Sequence, residues 1–360
     1  MAFNATVTFL QEPGTKAAWK SIKTGLLALL PSWSEQTPYQ VRSVAVRDAC
    51  KAVSAAKKKF KITGQIQKVG YRSRKNPVQS CYIPKDAFRA GGIYPTLSRG
   101  QIRMVEEVPE EHGDLRLVCE RGRWFLIVPV QQKRCVAESQ GRVVALDPGI
   151  RSFQTFYAEK CCGKLGAGDF GQIQRLCAHL DDLISRRKLE KQRLRKKHLR
   201  GAIQRLYSRI RDLVDELHHK VAAFLVKSFD VIILPTFETQ DMVQKGARKL
   251  RAKSVRSMLT FAHYRFKMFL KHKAFEHGKL VLDQNEAWTS KTVSWTGEVI
   301  NKLGGRKIIR SAATGETMDR DYNGARGIFL RALGDQPILK GNLRDASALG
   351  ATSVASGSEK

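Results

Sequence analysis

The sequence predicts an α+β multidomain protein, in which a small β-barrel with a helical insert precedes a mixed α/β domain. Short β-rich segments broken by Gly or Pro occur between residues 80 and 130, which is typical of an antiparallel barrel or sandwich. Apolar residues recur at helical spacing from Lys16 to about Phe60. After Arg142, buried apolar strands alternate with helical segments, as in a mixed α/β domain.

The first half of the chain supplies the predicted barrel. Alternation over Ala5–Leu10 predicts a strand that joins the barrel across the helical insert, and Glu12-Pro13-Gly14 predicts the turn that ends it. The other predicted barrel strands are Ser80–Ile83, Gln101–Val105, Leu115–Cys119 and Trp124–Val130.

The second half supplies the predicted α/β domain. The predicted strands are Val143–Leu146, Ser152–Tyr157, Val231–Leu234 and Leu280–Leu282, and the first two are close enough in sequence to form a hairpin. Residues 289–314 form an excursion rich in Gly, Lys and Ser, and the tail after Ala346 is expected to be disordered.

Charge limits the classes of partner. The 360 residues carry 64 Lys+Arg and 33 Asp+Glu, a net charge of +31, while 42% hydrophobic residues exclude disorder of the whole chain. Such an excess favours a polyanion, and nucleic acid before an acidic membrane surface. No apolar stretch approaches the roughly 18 residues of a membrane span. Seven cysteines without a Cys-x-x-Cys pair predict a reduced, intracellular protein.

The positive charge is concentrated in two runs. Residues 186–211 contain twelve Lys/Arg and one acid, Glu190, at spacings that predict one basic helix with an apolar face. Residues 51–75 contain nine Lys/Arg and no acid, with Phe60 and Tyr71 interleaved as if to stack on bases. Solvated helix faces are the alternative for both runs.

Two aspartates stand where metal ligands are expected. Asp147 follows an apolar strand and precedes Pro148-Gly149, although an acid in this position is often only a turn residue. Asp319 and Asp321 open a helix, where either could instead act as a cap. Two-metal phosphodiester hydrolysis needs about three carboxylates. Spacing alone leaves Glu238 and Glu286 as equal candidates for the third.

Five blocks of the second half occur in a characteristic order and spacing. They are Val144–Arg151 with Thr155, Leu234–Met242, His263–Phe266, Glu286–Thr292 and Asp319–Arg326. In these blocks the chain resembles the transposon-encoded TnpB nucleases and their eukaryotic relatives, the Fanzor proteins. The resemblance covers residues 1–335, with Arg72–Lys75 and Gly122–Trp124 matching in the first half.

The resemblance implies a domain plan. A wedge-like β-barrel would comprise residues 1–15 and 77–137, and a helical recognition domain residues 16–76. A RuvC-like nuclease domain of RNase H fold would comprise 138–288 and 316–335. Residues 289–315 would form a target-nucleic-acid-binding insertion, and residues 336–360 a disordered tail.

The resemblance also implies an activity and partners. The expected activity is cleavage of double-stranded DNA, directed by an element-encoded omega RNA and dependent on two Mg²⁺ ions. The expected assembly is a monomeric ribonucleoprotein, and no membrane partner is expected. It would work in the cytoplasm or nucleoid of a bacterium, or in the nucleus of a eukaryote. Nucleic-acid contacts are expected from Lys57, Lys58, Lys59, Arg72, Arg74, Lys75, Arg186, Arg187, Arg193, Arg195, Lys196 and Lys197, with Arg320 and Arg326 near the scissile phosphate.

The family pattern also bears on the third carboxylate. In most TnpB proteins the middle Glu lies seven residues before a Met, a position that is Pro235 here. A Fanzor-like subset uses an acid just before the Thr-Ser-Lys-Thr block, which is Glu286. The resemblance therefore implies Asp147, Glu286 and Asp321 as catalytic, Mg²⁺-binding residues, with Glu238 as the competitor.

One departure from the family concerns zinc. The family has a zinc ribbon held by two Cys-x-x-Cys pairs after this block. Here the matching residues are Val293, Thr296, Ser311 and Thr314, so no zinc is expected. The insertion either folds through Trp295 and Val299-Ile300 or is loose, which makes a cleavage-deficient RNA-guided DNA-binding protein, or repressor, an alternative. A structural RNA-binding protein is a third hypothesis.

Overall fold

The computed structural model describes residues 1–335 except 74–75, 77, 90–91, 95–101, 121, 134–140, 237–251, 286–288, 290, 301–303 and 305. The chain divides into two compact units, Met1–Gln132 and Lys133–Lys360. Of the described helices, none carries an apolar stretch that could span a bilayer. The expectation for the tail, 336–360, lies outside the described residues.

The first unit combines three helices with a small antiparallel sheet. Its helices are α1 (Ala2–Phe9), α2 (Trp19–Ala28) and α3 (Tyr39–Thr63), with 3₁₀ turns at Ser32–Gln36 and Lys85–Ala87. Its strands are β1 (Val78–Ile83), β2 (Phe88–Arg89), β3 (Gly92–Ile93), β4 (Leu115–Glu120) and β5 (Arg123–Ile127). Residues 19–28 and 39–63 are thus helical, as the apolar spacing from Lys16 to about Phe60 predicts.

The predicted barrel is not found among the described residues. Strands β1, β4 and β5 form a three-stranded antiparallel sheet in the order β1-β4-β5, and β2 and β3 form a separate two-stranded pair. Residues 102–105 are not a strand, contrary to the prediction for Gln101–Val105. The prediction of a strand over Ala5–Leu10 is also wrong, because Phe3 and Val7 lie one helical turn apart and pack on Ala49 of α3.

The second unit is built on a five-stranded mixed sheet. Its order is β10-β9-β6-β7-β8, with β6 parallel to β9, β9 parallel to β10, and β7 and β8 antiparallel to their neighbours. The strands are β6 (Val143–Pro148), β7 (Gln154–Ala158), β8 (Cys162–Leu165), β9 (Val231–Pro235) and β10 (Leu280–Gln284), and a hairpin adds β11 (Ile308–Arg310) and β12 (Thr317–Asp319). The predicted hairpin and apolar strands are confirmed.

Helices cover both faces of this sheet. They are α4 (Asp169–Leu189), α5 (Arg193–Ser228), α6 (Ala252–Phe261), α7 (His263–Glu276) and α8 (Arg320–Asp335). Val144 and Leu146 of β6 join the core formed with α4, α5 and α7, whereas Val143 and Ala145 pack with Ile328 and Phe329 of α8. Side chains alternate along a strand, so the next residue on the α8 face is Asp147.

Two buried histidines make the second unit sensitive to acid. His218 and His263 each stack on Phe153 with ring centroids 5.2 Å apart, and His218 Nε2 lies 2.8 Å from the carbonyl of Phe261. Burial is the main cause that lowers the pKa of each histidine from 6.5 to about 4. Both are therefore neutral in the folded protein at pH 5, while the unfolded chain would protonate them.

We expect the free energy of unfolding to fall as the pH drops from about 6.5 to about 4. In that window the unfolded state binds more protons, which costs about 3 kcal/mol of stability per histidine by the time pH 4 is reached. Urea unfolding of the wild type and of His218→Gln at pH 7 and pH 4.5 measures this. The variant should lose less stability on acidification, and an equal loss would contradict the account.

Candidate functional site

Three polar residues form a row across the sheet. Asp147 of β6 lies opposite Thr155 of β7, and Thr155 lies opposite Lys164 of β8. Residues directly opposite each other in antiparallel strands project from the same face. The row therefore faces α8, with Thr155 buried and Asp147 half-buried.

Helix α8 brings Asp321 to this row. Asp321 lies in the first turn of α8, and Gly324 follows three residues later on the same face. A Cβ added at Gly324 would stand closer than 3.0 Å to Oδ2 of Asp147, a spacing that real Cβ atoms essentially never show. Only glycine thus lets the Asp147 carboxylate lie against the helix backbone, about one turn from Asp321.

Asp319 and Asp321 divide the two roles that the sequence left open. Asp319 Oδ1 accepts a hydrogen bond from the backbone N–H of Asp321 at 2.8 Å, so Asp319 caps the start of α8. The side chain of Asp321 is 48% exposed. The carboxylate of Asp321 is therefore the one available to an incoming ligand, while that of Asp319 holds the helix.

Lys164 forms ion pairs with both aspartates. Its Nζ lies 2.8 Å from Asp319 Oδ2 and 3.3 Å from Asp321 Oδ2. Burial alone would raise the pKa of Asp319, but the hydrogen bonds from Lys164 and from the backbone N–H groups of Asp321 and Tyr322 lower the pKa below its ordinary value. Burial would likewise lower the pKa of Lys164, yet the two aspartates raise it. Asp319 and Lys164 are therefore both charged at neutral pH.

The carboxylates of this site are of the kind that binds Mg²⁺. Carboxylate oxygens are the ligands that Mg²⁺ prefers, and Gly324 provides the space that Asp147 occupies. Among the described residues, however, no group of three His, Cys, Asp or Glu is placed to hold a metal. Both candidates for the third carboxylate, Glu238 and Glu286, lie outside the described residues. Two of the three expected Mg²⁺ ligands, Asp147 and Asp321, thus lie in the described part of the site.

Both glutamates follow strands that end at the same edge of the sheet. Strand β9 ends at Pro235 and β10 at Gln284, and these two residues are paired in register. Both strands run in the same direction as β6, and Asp147 lies at the carboxyl end of β6. Ligand sites of such sheets lie outside the carboxyl ends of the strands. This placement suits either glutamate and does not choose between them.

Two arginines of α8 contact the inserted segment. Arg320 Nη1 donates to the carbonyl of Gly304 at 3.0 Å, and Arg326 Nη1 lies 3.5 Å from Ser294 Oγ, with its guanidinium 6.0 Å from the centre of the Tyr157 ring. No salt bridge of Arg326 is found among the described residues. Their contact with a scissile phosphate stays a prediction.

The basic run 186–211 is not one helix. Helix α4 ends at Leu189 and α5 begins at Arg193, and Gln192 N–H donates to Glu190 Oε1 at 2.9 Å in the turn between them. Leu189 and Leu194 flank the turn and are 82% and 70% exposed, so the predicted apolar face does not continue through it. The tip of a helical hairpin therefore displays the positive charge. Its exposed members include Arg186, Arg193, Arg195, Lys196 and Lys197, whereas Arg187 is half-buried.

The basic run in the first unit is mixed in character. Lys57, Lys58 and Lys59 are exposed on the last turns of α3. The Arg72 guanidinium instead lies 4.0 Å from the centre of the Phe3 ring and 3.3 Å from Asp48 Oδ2, so it already has structural partners. Arg74 and Lys75 lie outside the described residues.

The inserted segment is folded in its described part. Residues 292–319, called the ribbon here, contain the β11–β12 hairpin and two turns, 293–297 and 311–315, each ending in a glycine of positive φ, Gly297 and Gly315. Val293 and Ile309 are buried together, with Trp295 and Ile300 packed against them. The prediction of packing through Trp295 and Ile300 is thus confirmed, whereas Val299 is 53% exposed.

A single carboxylate ties the two turns of the ribbon together. Glu298 accepts hydrogen bonds from Thr296 Oγ1 at 3.1 Å and Ser311 Oγ at 2.7 Å, and from the backbone N–H groups of Ala312 and Ala313 at 3.1 and 2.9 Å. The hydrogen bond from Ser311 is the main cause that lowers the pKa of Glu298, ahead of the opposing effect of burial. The residues at two of the expected cysteine positions, Thr296 and Ser311, thus bind the same carboxylate.

Replacing Glu298 by Ala should loosen the ribbon without unfolding the sheet. Four donors lose their acceptor, so we expect amide exchange over 293–315 to accelerate by at least about tenfold while β6 and β9 keep their protection. Hydrogen exchange read by mass spectrometry measures this. Glu316→Ala is the matched control, because Glu316 accepts from Thr314 alone among the hydrogen bonds described for its side chain. Equal exchange in both variants would contradict the role of Glu298.

Asn323 connects the ribbon to the helix of Asp321. It is fully buried, its Oδ1 accepts from the backbone N–H of Ser294 at 2.9 Å, and its Nδ2 donates to the carbonyl of Thr292 at 2.8 Å. Sequence reasoning missed Asn323, Gly324, Lys164 and Glu298. No local pattern marks Lys164 or Glu298, because the contacts of Lys164 follow from strand register and those of Glu298 from the packing of two turns.

Comparisons with known proteins agree with this architecture. Residues 263–328 match the family model described as Cas12f1-like, TNB domain. A TnpB-like protein of Acanthamoeba polyphaga mimivirus is 27% identical over 257 residues, which cover 69% of this chain and 48% of that protein. A Streptomyces pristinaespiralis protein named "Putative RNA-guided DNA endonuclease" is 25% identical over 363 residues, covering 97% of this chain and 84% of its own.

The fold is also found in a solved structure. The cryo-EM structure of a Cas12f1-sgRNA-target DNA complex superposes with a TM-score of 0.51 at 10% identity, covering 91% of this chain and 79% of that one. The chain spans about half the length of the viral relatives that it matches. The chain is therefore similar in sequence to TnpB-like proteins, and its mixed α+β fold is similar to that of Cas12f1.

Proposed function

We propose that this chain is an RNA-guided DNA endonuclease of the TnpB type, from the Fanzor-like subset, guided by an element-encoded omega RNA. The observation that carries the proposal is the Asp147 carboxylate lying against Gly324, one helical turn from Asp321. The name of the Streptomyces relative and the fold shared with Cas12f1 support it. The second unit would be the RuvC-like nuclease domain.

Asp147 and Asp321 would hold Mg²⁺, with Glu286 as the third ligand and Glu238 as its competitor. When bound, a pair of Mg²⁺ ions activates the attacking water and stabilises the leaving oxygen of a phosphodiester. The protein's own contribution is to keep the two aspartates in place before substrate arrives. Asp319 fixes the first turn of α8 through its hydrogen bond to the Asp321 backbone, and Asn323 fixes that turn against the ribbon.

The basic surfaces would hold the nucleic acids. The tip of the α4–α5 hairpin and the end of α3 display exposed lysines and arginines suited to phosphate contacts along the guide RNA and the RNA–DNA duplex. Base pairing would then supply sequence specificity. The first unit would provide the wedge and recognition regions, and the ribbon would contact target nucleic acid.

One observation favours the alternative of a guided DNA-binding protein that does not cleave. Lys164 already forms an ion pair with Asp321, so the carboxylate that faces the substrate side is partly neutralised within the protein. In that case guided binding would persist and hydrolysis would not.

One experiment separates these functions. The ribonucleoprotein is purified, its RNA is sequenced, and matched and mismatched duplex DNA are incubated with it in Mg²⁺. The proposal expects one abundant RNA species with a variable 3′ end, and cleavage of matched DNA alone. A shifted but uncut matched duplex would establish the guided binder, and random RNA fragments would overturn guided function altogether.

A further inference from the structure

Lys164 reaches the acidic residues because of strand register. Its position on β8, opposite Thr155 and in the same row as Asp147, places its side chain on the face that α8 covers. The ammonium lies 5.1 Å from the centre of the Tyr322 ring, and the side chain is only 25% exposed. The sheet and the helix thus fix Lys164 beside the carboxylates.

The two aspartates that Lys164 contacts are not equivalent. Asp319 is the nearer partner and is also held by the α8 cap. Asp321 is the farther partner, at 3.3 Å, and its carboxylate is the more exposed. Among the described residues, Lys164 is the basic side chain paired with both. A second cation approaching Asp321 would therefore find Lys164 already bound there.

A divalent ion and an ammonium compete for the same carboxylate oxygens and repel each other. At a few ångströms, this repulsion amounts to about a tenfold change in affinity even at the dielectric constant of water. Lys164 can stay paired with Asp319 after its contact with Asp321 is lost, because the hydrogen bond from the Asp321 backbone N–H keeps the Asp319 carboxylate in place.

We propose that Lys164 is a positioning residue that contacts both Asp319 and Asp321 in the metal-free protein and keeps only its contact with Asp319 when a divalent ion binds. Lys164 would then set the metal concentration at which the site becomes loaded. This inference rests on the proposed function, because it requires a divalent ion at Asp147 and Asp321.

The test measures metal binding rather than cleavage. Mn²⁺ is titrated calorimetrically into the full chain freed of RNA, and the heat that disappears in Asp147→Asn defines binding at the site. Lys164→Met should bind Mn²⁺ about tenfold more tightly than wild type. Lys164→Arg should behave like wild type. Lys160→Met is the matched control, because Lys160 is an exposed lysine in the turn between β7 and β8.

The outcomes distinguish the inference from the function on which it rests. Equal Mn²⁺ affinity in wild type and Lys164→Met, or an equal gain in Lys160→Met, overturns the role of Lys164 alone. Absence of site-specific binding in every variant overturns the metal-dependent function as well. Lys164→Gln keeps a hydrogen-bond donor without the charge and serves as the second neutral variant if Lys164→Met does not fold.

Discussion

Replacing Asp147 by Asn should reduce guided DNA cleavage by at least about a thousandfold, because a charged ligand of the Mg²⁺ ions that act on the phosphate is lost. The side chain keeps its shape, and Asp147 lies at the end of β6 with its carboxylate against Gly324, so the sheet should remain intact. Binding of guide RNA and of matched DNA should be unchanged. Single-turnover cleavage rates, together with gel-shift affinities, measure both.

Asp283→Asn is the matched control for this variant. Asp283 is also a strand carboxylate of the same sheet, but Lys267 and Lys271 hold it at 3.0 and 2.8 Å. Its loss should cost stability rather than the chemical step. If both variants slowed cleavage alike, Asp147 would have no special place in the reaction.

Adding one methyl group at Gly324 should slow cleavage by about a hundredfold, the cost expected when a reacting group is misplaced by about 1 Å. The new Cβ would stand closer than 3.0 Å to Asp147 Oδ2, and the neighbouring Cγ is 3.3 Å away. Either the carboxylate or the helix must move. Alanine is preferred to glycine in a helix by about 1 kcal/mol, and this gain offsets part of the cost of the new contact. We therefore expect the melting temperature to change much less than the cleavage rate.

Gly334→Ala provides the comparison for Gly324→Ala. It lies in the same helix, and a Cβ built there meets nothing within 4 Å. Unchanged cleavage in Gly334→Ala with slowed cleavage in Gly324→Ala would locate the effect at the Asp147 contact. Full activity in Gly324→Ala would show that the contact does not matter for the reaction.

The sheet of the second unit could be predicted from sequence, because its strands are apolar runs such as Val143–Leu146, which are too short to form a helix of ordinary length. The prediction of a strand over residues 5–10 is wrong because Val7 also lies one helical turn from Phe3. The packing of both side chains on Ala49 favours the helix over the strand. The break after Leu189 has no Gly or Pro to mark it. The helical hairpin therefore could not be read from composition.

Part of the site could also be predicted from local sequence signals. Asp147 and Asp321 are marked by their neighbours, a strand end and a helix start. The roles of Lys164, Gly324 and Asn323 depend instead on contacts between residues more than a hundred positions apart, or between a helix and the inserted ribbon. Such contacts follow from register and packing, which a single sequence does not reveal.

The central claim is that Asp147 and Asp321 act as one catalytic site. Single-turnover cleavage of matched DNA by Asp147→Asn, Asp321→Asn and the double variant tests it most directly, since residues that act as a unit have strongly non-additive effects. The account predicts that the double variant is no slower than either single variant. Multiplying losses, or near-normal cleavage in Asp321→Asn, would contradict it.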